Sequence, residues 1–156
     1  MKIDSPLPTY IGYEVGYFTD ADLVDWAVQY LSTSKYFSDD PDLVELSSII
    51  EINKFEVEKA GDYLKAFVKK QWPDYSLKNN KAEIYAKKYF KSRLREYLAG
   101  QCSPYEVCRM VTLIEQVFDF PKWLGNMYNV CDWIEQNTSR ADCKHLDSEI
   151  EKTIGL

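Results

Sequence analysis

The chain has 156 residues, 46% of them apolar, with four cysteines and a net charge of −6. That size and apolar content predict one folded domain and exclude a disordered chain. No apolar run nears the roughly 20 residues that span a bilayer. Asp4 and Pro6 stand where a signal peptide would be apolar, so the expected compartment is the cytoplasm. There Cys102, Cys108, Cys131 and Cys143 are expected to be reduced thiols. Their spacing, with five, 22 and 11 residues between them, matches no zinc pattern.

Residues 1–19 are broken by Pro and Gly and rich in Tyr, which reads as an irregular aromatic lead-in. Thr19 or Asp20 then caps a helix with Asp22 in its first turn, and Leu23, Trp26 or Ala27, and Tyr30 form its inner stripe. Ser38-Asp39-Asp40-Pro41 is a second start signal, followed by Leu43, Leu46 and Ile50 at helical spacing and a stop near Asn53. A third helix carries Val57, Ala60, Gly61, Leu64 and Phe67 or Val68, and ends at Trp72-Pro73. After a polar connection, a long helix from about Asn80 to Ala99 turns Ala82, Ala86, Phe90, Leu94 and Leu98 inward, with Gly100 just past its end.

Ser103 and Pro104 open the next helix, whose stripe is Val107, Val111, Ile114 and Phe118. Pro121 ends it and opens another, with Trp123 or Leu124, Met127, Cys131 and Ile134 on one side. Two stripes joined by so short a link fold back on each other, so 103–136 reads as a central αα-hairpin. A loop from 137 to 143 and a short helix over 144–153 complete the chain. The predicted fold is an all-α, single-domain bundle of six to seven helices over 1–156.

Charge is segregated along the chain. Residues 1–62 hold 13 acids against four bases, 63–110 hold 11 bases against four acids, and 111–156 hold eight acids against four bases. The middle block, centred on Lys78, Lys81, Lys87, Lys88, Lys91, Arg93 and Arg95, reads as a solvated face, in part paired with the acidic first third. An acidic protein is repelled by nucleic acid, so no direct nucleic-acid partner is expected. The first third gathers Asp20, Asp22, Asp25, Asp39, Asp40, Asp42 and Glu45 around two helix starts, with Tyr36 and Phe37 between them. Some of these acids suit caps, yet together they form a candidate surface for a basic protein partner. No Asp-x-Asp-x-Asx-Gly loop is present to hold a cation, and no cofactor or membrane partner is expected.

No hydrolase elbow, Walker loop, dinucleotide turn or His-Glu-x-x-His motif occurs. The single histidine, His145, follows Cys143 at a spacing that aims the two apart, so an exposed imidazole is expected. Cys131-Asp132 beside Trp133 is explained by packing, since Cys131 lies on an inner stripe. The chain is read as a non-enzyme.

The stretch from Gly12 to Ala27, Gly-Tyr-Glu-Val-Gly-Tyr-Phe-Thr-Asp-Ala-Asp-Leu-Val-Asp-Trp-Ala, resembles the opening of small bacterial immunity proteins of contact-dependent inhibition and other polymorphic toxin systems. Leu98–Pro104 and Phe118–Leu124 are similar in style to the second half of such proteins. The resemblance implies a cytosolic inhibitor that binds the C-terminal domain of a cognate toxin, often a nuclease, and blocks its active site. Assigning the contact to the acidic first third follows from charge, not from the family. A helical adaptor holding a permanent partner through its aromatics is the alternative, and a small hydrolase with converging carboxylates is the third.

Overall fold

The computed structural model describes residues 4–49, 57–78 and 80–154. Among them are eight α-helices and two 3-10 turns and no strand, so the chain is all-α. Ile50 and Asn53, expected as stripe and stop, lie outside the described residues. The chain gathers into two compact units: Met1–Tyr13 with Phe18–Asn79, and Glu14–Tyr17 with Asn80–Leu156.

The first unit opens with α1 (Pro6–Glu14), where an irregular lead-in was expected. Pro6 and Pro8 fall in the first turn, where the amide they lack has no helical partner to lose. Tyr10 and Ile11 are buried, and that packing supplies what helix propensity does not. Helix α2 (Asp20–Thr33) begins with a capping box. The Asp22 amide donates to Thr19 Oγ1 at 3.2 Å, and the Thr19 amide donates to Asp22 Oδ2 at 2.8 Å. Leu23, Trp26, Ala27 and Tyr30 are buried, as their spacing predicted, and the Trp26 indole donates to the Asp4 carbonyl at 2.8 Å.

Helix α3 (Pro41–Ser47) and helix α4 (Ala60–Gln71) complete that unit, with Leu43, Leu46, Leu64 and Phe67 fully buried. Gly61 sits where a Cβ would come within 2.2 Å of the Tyr13 hydroxyl, so α4 presents bare backbone to that ring.

In the second unit, α5 (Asn80–Leu98) buries Ala82, Ala86, Phe90 and Leu94. Its last inward residue is Tyr97, fully buried, while Leu98 is exposed; the stripe drifts by one residue over the helix's length. Gly100 follows at φ +76°, the left-handed position expected for a residue past the helix end. Helix α6 (Pro104–Phe118) starts with a second capping box, Ser103 with Glu106. The second arm of the expected hairpin is broken. A 3-10 turn (Lys122–Leu124) precedes a five-residue α7 (Met127–Cys131). Helix α8 (Lys144–Ile154) buries Leu146 and Ile150.

Cys108 of α6 and Cys131 of α7 form a disulfide, with Cα atoms 5.3 Å apart. The expectation of reduced thiols therefore fails for this pair. Both cysteines occupy facing sides of one tight hairpin, within the Cα separation a disulfide requires. Cys102 and Cys143 are free thiols.

Candidate functional site

Of the predicted acids, Asp39, Asp40, Asp42 and Glu45 stand at the link from α2 to α3 and on the helix after it. Asp20, Asp22 and Asp25 lie in the first two turns of α2, at the end of that helix away from the link. Helix α2 stops at Ser34, whose extended backbone turns the chain out of the helix. The Tyr36 amide donates to Ser34 Oγ at 3.1 Å. Phe37 then takes a left-handed backbone, φ +61°, that a non-glycine residue holds only when its surroundings demand it. The demand comes from packing. Its ring meets the edge of Phe67 at 5.1 Å and of Trp72 at 6.1 Å. Phe37 is thus packed on the core and half-buried, where an exposed aromatic beside the acids was expected.

Tyr36, the residue before it, points the other way and is 76% exposed. The link closes on Asp40, whose amide donates to the Phe37 carbonyl at 3.0 Å. Asp40 Oδ1 caps α3, accepting from the amides of Asp42 and Leu43 at 2.9 and 3.2 Å. A large aromatic ring therefore stands in solvent on a turn fixed at both ends.

The nine residues read as a surface divide by duty. Asp20 is structural: its Oδ1 accepts from the Tyr13 hydroxyl at 3.1 Å and from the Gly61 amide at 3.3 Å. Asp40 and Asp42 share one cation, Lys70 of α4, at 2.7 and 2.9 Å. Their two carboxylates raise the Lys70 pKa, Asp40 most, by hydrogen bonding to the charged ammonium. Asp22 is spent in part on the capping box yet exposed. Asp25, Asp39 and Glu45 are exposed, as is Tyr36. Density of acids in sequence overstated the free charge, because helix starts recruit carboxylates for caps. The signal that separates the two uses is position: Asp40 and Asp22 sit at N-cap and N3, while Asp25, Asp39 and Glu45 do not.

Cys143 is buried and its Sγ donates to the Ser139 carbonyl at 3.2 Å; burial pushes that thiol up, with help from Asp142 and Asp147. His145, two residues on, is exposed. Cys131 is tied in the disulfide. Arg93 of the basic block donates to the Tyr17 carbonyl at 2.9 Å and to Glu96 at 3.1 Å, so it serves structure. Among the described residues no group of three His, Cys, Asp or Glu side chains is placed to hold a metal. Nor is any helix among them long and apolar enough to cross a membrane.

A second feature escaped the sequence reading. The link from α6 to the 3-10 turn holds Asp119 and Phe120 both left-handed, at φ +55° and +54°. Phe120 is 63% exposed there. The combination of Asp, Phe and Pro at a helix end was legible as a link, but not the outward aim of its ring. Compared with known proteins, the chain matches no family model, no curated protein and no solved structure.

Proposed function

We propose that the protein is an immunity protein of a polymorphic toxin system, acting in the cytoplasm. It binds the basic C-terminal domain of a cognate toxin through Tyr36 and the exposed acids Asp22, Asp25, Asp39 and Glu45, and so occludes the toxin's active site. The observation that supports this reading most is Tyr36 itself, an aromatic ring left in solvent on a pinned turn. A turn whose backbone is already held in place loses less freedom on binding, and an exposed Tyr is a common interface anchor. Exposed carboxylates on the same unit, Asp39 on the link itself among them, favour a basic partner and speed its approach. Nothing in the reading asks the protein to catalyse a reaction.

The test begins with the gene directly upstream. A large secreted protein ending in a small basic domain is expected, and co-production of this chain with that domain should protect the host cell. Tyr36→Ala combined with Asp39→Lys should abolish protection while leaving the fold intact, since neither residue's side chain serves the core. A neighbourhood of metabolic or regulatory genes, or protection unaffected by both changes, sinks the proposal. The adaptor reading would then gain, and it predicts co-purification with a permanent partner.

A further inference from the structure

Beneath the strained link of the second unit lies a cleft of 350 Å³ lined by Glu115, Phe120, Pro121, Lys122, Leu124 and Tyr128, among others. Its mouth is aromatic. Phe120 and Tyr128 are 63% and 42% exposed, and their rings meet edge to face at 6.3 Å. Its wall is acidic. Glu115 Oε1 is shut off from water and has no hydrogen-bond partner, and Glu115 takes part in none of the ion pairs among the described residues. Lys122, at the rim, is exposed and does not neutralise it.

An unpaired carboxyl group beside a cleft is a cost to the folded state unless something compensates it. The backbone adds to that cost, since two successive non-glycine residues, Asp119 and Phe120, are held left-handed. That conformation ends α6, with the Asp119 and Phe120 amides both donating to the Glu115 carbonyl, and it leaves the Phe120 ring exposed at the mouth of the cleft. From Glu115 to Glu135 the chain carries four acids and one base, and Asp132 is close enough to Glu115 to push its carboxyl up.

We infer that this cleft receives the side chain of a lysine from a partner protein, its ammonium held by the Phe120 and Tyr128 rings with the Glu115 carboxylate as counter-charge. Aromatic rings attract cations through their quadrupole, and the attraction grows as water is removed. Lysine fits better than arginine. Its apolar stem lies against Pro121 and Leu124, and its compact charge needs one carboxylate, where a guanidinium seeks a bidentate fork. The surface around Tyr36 plays no part in this inference, and either can fail without the other.

The intact, aromatic-labelled chain would be titrated with Nα-acetyl-L-lysine amide and followed by NMR at the Phe120 and Tyr128 rings. The norleucine analogue, which keeps the stem and lacks the charge, is the control. A saturable shift with the lysine compound and none with norleucine is expected. Glu115→Gln should weaken binding by about tenfold, the loss of one charged partner. Tyr128→Leu should weaken it by about threefold, the loss of one ring. Absence of a saturable lysine response overturns the inference. So does an equal response to norleucine, or undiminished binding by a folded Glu115→Gln variant.

Discussion

Glu115 couples a single carboxyl group to the stability of the second unit. Burial raises its pKa, and the nearby Asp132 raises it further. An acid whose folded pKa lies above its unfolded one is stabilising while protonated, and that stability is lost as pH rises through the folded value. Glu115→Gln cannot ionise. Its thermal midpoint should match the native chain's near pH 4, about the ordinary glutamate value, and exceed it increasingly toward pH 7. A gap that stays constant across that range would refute the assignment. Gly61 makes an opposite point about a small residue. Alanine there gains about 1 kcal/mol of helix propensity. Its methyl meets the Tyr13 ring, however, and overpacking of that kind costs about 1–3 kcal/mol. Gly61→Ala should therefore destabilise on balance, measurable by denaturant unfolding.

At the scale of elements, legibility followed local chemistry. Helices α2 and α6 were readable because Thr19 with Asp22 and Ser103 with Glu106 write their starts into the sequence, and the amphipathic stripes confirm them. Helix α1 was hidden, since Pro6, Pro8 and Gly12 read as breaks and only burial of Tyr10 and Ile11 reveals the helix. Phe37 was misread for a related reason: its left-handed backbone sends successive rings to opposite sides, which no periodicity encodes. The disulfide was missed because compartment, not geometry, guided the reading. It closes a loop of 22 intervening residues that includes the strained link and the short α7. Breaking a bridge of that span costs about 3 kcal/mol in the chain-entropy account. A reductant should lower the thermal midpoint of the native chain and leave Cys108→Ser unchanged; identical behaviour of the two would argue against the bond.

Over the whole molecule, opposite charges were expected to pair across the sequence, and Lys70 shows one such pairing within the first unit. Its effect is to mask two acids next to Tyr36. Lys70→Gln should then strengthen the field that a basic partner meets. With the cognate domain in hand, stopped-flow association should be faster for Lys70→Gln and slower for Asp25→Lys with Asp39→Lys, and both differences should shrink as salt rises. Rates insensitive to all three changes would remove charge steering from the account. Reversing Asp40 or Asp42 is a poor test, because Asp40 caps α3 and its loss would unravel the helix start.

The four residues Glu14–Tyr17 leave the first unit and return to it, while belonging to the second. Val15 is fully buried there, and Tyr17 stacks on Tyr89 at 5.0 Å and bonds to Glu96 at 2.7 Å. During synthesis these residues emerge long before their partners exist. At about 5–20 residues per second, the ribosome takes several seconds to reach Asn80 and longer to finish α6. Over that interval Tyr17 lacks Tyr89 and Glu96, even if α1 to α4 have already condensed. No single cut can separate the units without stripping one of a part, so a fragment starting at Asn80 should need the missing tetrapeptide in trans. The nascent chain, in effect, carries a deferred piece of its second half through the folding of its first.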